Sequence, residues 1–127
     1  MEIGATKAVQ DRLKTTKIDE SKGASLVFCW DTHLTKIKGR NVLFIVNASN
    51  RYTIAMTDIE PRNWNYYAMY ISRVIHGVMQ EMGYSEDQIG QYFKMSGDTT
   101  VTKTHGRKSV GGINRMVMDA QYFGKKL

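Results

Sequence analysis

The sequence predicts one α+β domain over residues 1–127: an antiparallel β-meander with an added C-terminal strand, and helices packed on one face of the sheet. Three observations support this class. Strand-like apolar segments fill the first half of the chain, two helical segments follow, and a short strand and a last helix come at the end. With 127 residues and a single proline, the chain has the usual size of one domain and no linker-rich part.

The β elements are predicted in chain order. Residues 1–5 form a short edge strand, 7–13 a short helix, and the polar stretch 15–25 a loop that leads to a strand at 26–37. A turn at 38–41 precedes the continuous apolar run 42–46, which is typical of a central strand covered on both faces. After a loop at 47–50, alternation predicts a half-buried strand with one face formed by Tyr52, Ile54 and Met56.

The helical elements follow. Apolar residues at three- and four-residue spacing predict a helix that begins near Pro61, ends before Gly83 and buries one stripe: Trp64, Tyr67, Ala68, Ile71, Val74, Ile75, Val78, Met79 and Met82. The next helix begins with a capping box between Ser85 and Gln88 and ends near Gly97. A strand at 99–104 points Val101 inward, and a last helix at 109–122 buries Val110, Ile113, Val117 and Ala120.

The net charge of +6 is concentrated in two blocks. Residues 32–57 contain four basic residues and no acid, and residues 101–127 contain six basic residues and one acid, which gives +4 and +5 and leaves −3 for the rest. If the fold brings the two blocks together, they form a positive face that attracts phosphates or acidic partners. The alternative is that this charge serves solubility alone.

The single cysteine, Cys29, cannot form an internal disulfide, and no Cys/His set has the spacing of a zinc site. The sequence therefore predicts no metal and no other cofactor, and Cys29 is interpreted as a small buried hydrophobic residue. Residues 1–7 lack the apolar run that is typical of a signal peptide, and the longest apolar run, 42–46, is too short to span a bilayer. We expect a cytoplasmic protein without a membrane partner.

The segment TKTHGRKSVGGIN, residues 102–114, combines cations, hydroxyls, an imidazole and glycines before a predicted helix. Ser109 is the expected N-cap, and the free amides that follow it would hold an anion together with Lys103, His105 and Arg107. The alternative is purely structural: an exposed strand, a cap, and glycines that allow close packing. Because no acid lies within the motif to orient His105, no catalytic residue is assigned.

Two segments together are similar to a known family: GRNVLFIVNASNRY at 39–52 and TKTHGRKSVGGIN at 102–114. They resemble a family of small bacterial and phage-associated proteins classified as a domain of unknown function, and the similarity extends over nearly the whole chain. The last motif of that family reads Thr-Lys-Thr, a polar residue, then Arg-Ser-Val, so Lys108 is an insertion relative to it. The resemblance implies a shared fold and a shared polar site, without an established activity.

The sequence favours a non-enzymatic binding protein, and it gives no indication of oligomeric state. The leading hypothesis is a basic face for phosphate groups of nucleic acid or a nucleotide, formed by Arg40, Arg51, Lys103, His105, Arg107, Ser109 and Asn114. The rival hypothesis is a phage or mobile-element inhibitor, such as an anti-CRISPR factor, that binds a host nucleic-acid-handling protein. It depends on a row of helix residues next to the core stripe, formed by Tyr66, Tyr70 and Arg73, which would bind the partner. The alternative interpretation is that these residues are only partly buried at the margin of the core. A hydrolase or transferase that uses His105 is the minority interpretation.

Overall fold

The computed structural model of the chain describes residues 1–14 and 16–105. Within them the elements are β1 (Glu2–Ala5), α1 (Lys7–Gln10), a 3-10 helix (Leu26–Phe28), β2 (Cys29–Ile37), β3 (Arg40–Asn47), β4 (Thr53–Thr57), α2 (Pro61–Asn65), α3 (Tyr67–Glu81), α4 (Glu86–Ser96) and β5 (Thr100–Lys103). The α+β class is confirmed. The last helix predicted at 109–122 lies outside the described residues.

The five strands form one mixed sheet in the order β4-β3-β2-β1-β5. Strands β2, β3 and β4 are consecutive antiparallel neighbours, which confirms the predicted meander for these three strands only. Strand β1 runs parallel to both β2 and β5, so the sheet is not purely antiparallel. The prediction that residues 1–5 form an edge strand was wrong, because β1 lies between two strands and all four of its residues are buried.

The sheet has two buried faces with different chemistry. Ile3 lies opposite both Trp30 and Val101, and this alternation places all three on the face against which α2 and α3 pack, which we call the helix face. The neighbouring positions project from the other side, the second face. There Glu2 lies opposite Cys29, and Gly4 lies opposite Asp31. The second face therefore carries polar groups where β1 meets β2.

The helix predicted between Pro61 and Gly83 is divided at Tyr66, whose φ of −122° and ψ of 48° lie outside the helical region. The two parts place Trp64 and Tyr67 in the core with their rings stacked, 5.4 Å between centroids. No glycine or proline marks this break. Gly83 takes a left-handed φ of 91° just after α3, as its predicted role at the end of the helix requires.

Two further predictions concern the ends of the helices. The capping box of α4 is confirmed, because Ser85 Oγ accepts from the Gln88 amide at 3.1 Å and Gln88 Oε1 accepts from the Ser85 amide at 2.9 Å. Met82 was placed in the core stripe, but its side chain is half exposed at the C-terminal end of α3. No helix among residues 1–14 and 16–105 is long and apolar enough to cross a membrane.

Candidate functional site

Four side chains on the second face form a cluster that we call the buried polar cluster: Glu2, Cys29, Asp31 and His105. Strand register brings the first three together, since Glu2 is opposite Cys29 and Asp31 is two residues further along β2. His105 lies two residues beyond the end of β5, which pairs with β1 on its other side. Parallel pairing of β1 with both neighbours therefore gathers three distant parts of the chain.

His105 lies between two carboxylates. Its Nδ1 is 2.6 Å from Asp31 Oδ1 and its Nε2 is 2.7 Å from Glu2 Oε1, while its backbone amide donates to the Asp31 carboxylate. The three side chains are almost fully buried, with 6%, 0% and 7% exposure for His105, Asp31 and Glu2. Short contacts on both ring nitrogens are those of an imidazolium that donates two charge-assisted hydrogen bonds.

The loop predicted at 15–25 also contacts the cluster. Ser21 Oγ donates to Glu2 Oε1 at 2.7 Å, and the Lys22 amide donates to Glu2 Oε2 at 2.9 Å. Asp19 forms an isolated parallel bridge with Thr102 of β5. The Glu2 carboxylate is thus held from three sides, and the loop is tied to the sheet.

The cluster shifts the pKa values of His105, Glu2 and Cys29. Burial alone lowers the pKa of His105, but its hydrogen bonds and charge interactions with Asp31 and Glu2 outweigh burial and raise it. For Glu2, burial raises the pKa, and the contacts with His105, Lys22 and Ser21 reverse this and lower it. Burial, followed by the nearby charges of Glu2 and Asp31, raises the pKa of the Cys29 thiol to about 11.

A second feature is a cavity of about 310 Å³ on the helix face, which we call the aromatic cavity. Its lining residues are Val27, Trp30, Asn47, Asn50, Tyr52, Ile75, Val78, Met79, Met82, Tyr84, Gln88 and Tyr92. None of these described lining residues carries a charge. A hydrogen-bond chain fixes its wall, since Trp30 Nε1 donates to Tyr92 Oη at 3.0 Å and Tyr92 Oη donates to the Val27 carbonyl at 2.6 Å.

The loop between β3 and β4 forms the rim of the aromatic cavity. Asn47 organises this loop, because its Oδ1 accepts from the amides of Ser49 and Asn50 and its Nδ2 donates to the Val27 carbonyl. Arg51 has a left-handed φ of 66° and stands between Asn50 and Tyr52, both of which line the cavity. One cation of the predicted anion site is therefore next to an uncharged cavity.

The structure does not gather the other predicted cations at this place. Arg40 is the first residue of β3, and Arg51 lies in the loop after its last residue, so the length of the strand separates the two backbones by roughly 23 Å. Arg40 instead pairs with Asp58 at 2.6 Å. Lys103 is on β5, the edge of the sheet opposite to β4. His105 belongs to the buried polar cluster, and Arg107, Ser109 and Asn114 lie outside the described residues.

The three residues of the predicted partner-binding row lie close to one another in the structure. Tyr66, Tyr70 and Arg73 line one hollow of about 260 Å³ with Arg62 and Met69. Tyr66 is 68% exposed and Met69 is 52% exposed, so this hollow, which we call the tyrosine surface, is open to solvent. It borders the start of α3.

Sequence reasoning found His105 but missed its partners. Cys29 was interpreted as an apolar residue, and although it is fully buried, it lies beside the Glu2 carboxylate, with Sγ 4.0 Å from Oε1. The sequence does contain one signal for these partners. Glu2 and Gly4 are two residues apart, as are Cys29 and Asp31, so each pair lies on one face of its strand. His33 binds Thr6 Oγ1 through Nδ1 at 2.9 Å and takes no part in the cluster.

The fold and its two sites define a small α+β protein with a mixed five-stranded sheet, a buried His-carboxylate cluster on one face and an uncharged aromatic cavity on the other. The chain belongs to the family DUF6933, a domain of unknown function, whose family model matches residues 2–127. The match confirms the resemblance to a domain of unknown function. No curated protein and no solved structure matches the chain.

Proposed function

We propose that the protein binds a nucleotide, either free or within a single-stranded nucleic acid, and does not convert it. The base occupies the aromatic cavity and a phosphate lies at Arg51. The observation that carries this proposal is an uncharged aromatic cavity whose rim loop places one cation between two lining residues.

The cavity suits a base more than a phosphate. Burial of an anion among uncharged side chains is costly, whereas a base offers a flat neutral surface. Tyr52 and Tyr84 are 40% and 46% exposed, so their rings are accessible for stacking. Asn50 and Gln88 supply amide groups for hydrogen bonds to base edges. The volume of about 310 Å³ is at the lower end of ligand pockets, which fits one planar group.

The phosphate end of the ligand depends on Arg51. Its neighbours Asn50 and Tyr52 line the cavity, so a nucleotide whose base enters the cavity carries its phosphate toward the rim. A guanidinium forms bidentate hydrogen bonds with phosphate. Within the described residues, the proposal therefore needs one cation beside one cavity and not the broad basic face that the sequence predicts.

The experiment measures affinity for the four mononucleotides by calorimetry and for labelled single-stranded octamers by fluorescence anisotropy. Tyr84→Ala is expected to weaken binding by about 5- to 150-fold, because stacking of one base contributes about 1–3 kcal/mol. Arg51→Gln is expected to weaken binding and to reduce the salt slope on octamers by about 0.7, the value for one phosphate. Arg40→Gln removes the same charge at the far end of β3 and is the matched control.

Binding of mononucleotides as well as octamers identifies a free nucleotide as sufficient, and binding of octamers alone assigns the site to nucleic acid. The proposal fails if neither binds at low salt. It also fails if Arg40→Gln and Arg51→Gln weaken binding equally, since binding then depends on diffuse charge and not on the cavity.

A second candidate function is supported by the tyrosine surface. Exposed Tyr66 and Met69 beside Arg73 have the composition of protein interfaces, in which tyrosine, methionine and arginine are enriched. The corresponding proposal is an inhibitor or interaction protein that binds a nucleic-acid-handling protein, as for an anti-defence factor of phage or mobile elements. It requires no nucleotide.

The test of this candidate is capture of partners from nuclease-treated lysate. We expect the wild-type protein to retain a partner. Tyr66→Ala and Arg73→Gln should each weaken binding of this partner at least about tenfold, as for an interface hot spot. Lys94→Gln and Tyr84→Ala should retain it fully. If the tyrosine-surface variants capture the same proteins as wild type, this candidate is excluded.

A further inference from the structure

The geometry points to a binding site for a zinc-type divalent cation in the buried polar cluster, with Glu2, Cys29 and His105 as ligands and Asp31 as the partner that orients His105. This site lies on the second face, so it is independent of the proposed nucleotide site on the helix face. The ligand atoms of Glu2, Cys29 and His105 all lie within 4.8 Å of one another.

The His105 ring and the Glu2 carboxylate need a positive charge between them. His105 Nε2 and Glu2 Oε1 are 2.7 Å apart. When Nδ1 carries the proton that is donated to Asp31, the Nε2 of a neutral imidazole is a lone pair that faces a carboxylate oxygen. Two acceptors at this distance require a positive centre between them. A second proton supplies it in the imidazolium, and a divalent cation supplies it in the metal-bound state.

The ligand types and the distances of the cluster are close to those of a zinc site. Imidazole, thiolate and carboxylate are the three ligand types of protein zinc sites, with Zn–N and Zn–O near 2.0–2.2 Å and Zn–S near 2.3 Å. In a tetrahedral site these lengths place N and O ~3.3 Å apart and S and O ~3.6 Å apart. The observed separations are 2.7 Å for His105 Nε2 to Glu2 Oε1 and 4.0 Å for Cys29 Sγ to Glu2 Oε1. Shifts of about half an ångström bring these two pairs to the metal-bound separations. The third pair, the His105 nitrogen and Cys29 Sγ, lies within 4.8 Å and has to approach by at most about 1.2 Å to reach the ~3.6 Å of a tetrahedral site.

The outer contacts of the cluster orient two of the three ligands. Ligating histidines generally donate their other ring N–H to a carboxylate or carbonyl, which fixes the tautomer and the ring orientation. Asp31 fills this role, with Oδ1 2.6 Å from His105 Nδ1 and both carboxylate oxygens accepting from the His105 amide. Glu2 is similarly held by Ser21 and Lys22. The ligands are therefore positioned before a metal arrives.

Binding changes the proton count. The Cys29 thiol and the His105 imidazolium each lose one proton to solvent, and the cation takes both freed electron pairs together with one from Glu2. Three protein ligands leave one tetrahedral position for a water molecule or another group.

The experiment titrates chelator-treated protein with Co²⁺, whose absorption spectrum reports a bound thiolate through a sulfur-to-metal charge-transfer band, and then adds Zn²⁺. We expect one Co²⁺ per chain with this band, and displacement of Co²⁺ by Zn²⁺, which binds such sites more tightly. Cys29→Ser should remove the band. Asp31→Asn should lower affinity about 10- to 100-fold and keep the band, as loss of an orienting partner does.

His33→Gln is the matched control, because His33 is a partly buried histidine on the same sheet that binds Thr6 and not the cluster. It should leave Co²⁺ affinity unchanged, whereas His105→Gln should reduce it at least about tenfold. The proposal is overturned if wild type takes up no Co²⁺ or Zn²⁺ at one per chain, a result that does not depend on any variant folding. It is also overturned if the band survives Cys29→Ser, or if His33→Gln weakens binding as much as His105→Gln.

Discussion

Replacement of Gly4 by alanine is expected to reduce the free energy of unfolding by about 3 kcal/mol or more, since it combines overpacking with disruption of a buried ion pair. A Cβ atom at this position would lie 1.9 Å from Asp31 Oδ1 and 3.1 Å from His105 Nδ1. The strand has little freedom to move away, because the Gly4 carbonyl accepts a hydrogen bond from Thr32 Oγ1 at 2.7 Å and β1 is paired on both sides.

Chemical denaturation of Gly4→Ala, Gly77→Ala and Gly90→Ala measures this effect against two matched controls. A Cβ at Gly77 in α3 or Gly90 in α4 meets nothing within 4 Å. These two helical substitutions should stabilise the protein by up to about 1 kcal/mol, because alanine favours helix over glycine. If Gly4→Ala is as stable as the two controls, the space around Asp31 and His105 is larger than the structure shows, and the prediction is wrong.

Replacement of His105 by glutamine is expected to cost about 3–5 kcal/mol in metal-free protein, the range for removal of one partner from a buried ion pair. The substitution removes the imidazolium that contacts both the Glu2 and the Asp31 carboxylates in the buried polar cluster. The double variant Glu2→Gln/His105→Gln should be more stable than His105→Gln alone, since one uncompensated charge is removed and an amide oxygen still accepts from Lys22.

Urea denaturation of the chelator-treated proteins checks this second prediction. His33→Gln loses one hydrogen bond to Thr6 and should cost only about 1 kcal/mol. If His105→Gln unfolds at the urea concentration of wild type, the cluster contributes no net stability. If the double variant is less stable than His105→Gln alone, an uncompensated charge is not the reason for the lower free energy of unfolding.

The elements that the sequence predicts well are those whose signal is local. The antiparallel meander follows from alternation and turn residues, and the start of α4 follows from two side chains three residues apart, Ser85 and Gln88. Strand β1 has no such signal. It contains only four residues, and all of them are buried, so they show no alternation. Its position in the sheet depends on β5, in which Thr100 pairs with Glu2, 98 residues earlier in the chain.

The same limit applies to the candidate sites. His105 stands out in its motif because it is an imidazole among cations, but its acidic partners come from β1 and β2 and become neighbours only through parallel pairing. The aromatic cavity was not predicted for a related reason. Its wall combines helix residues such as Met79, which match a core stripe, with loop residues such as Asn50 and Tyr52, so no single segment shows a pocket.

The position of β1 also has a consequence for biosynthesis. Residues 2–5 are synthesised well before one of their two strand partners, at residues 100–103. Until then the nascent chain exposes the unpaired edge of β1, and a contact of such long sequence separation forms slowly. Completion of the sheet, and with it closure of His105 over Glu2 and Asp31, is therefore a late step of folding.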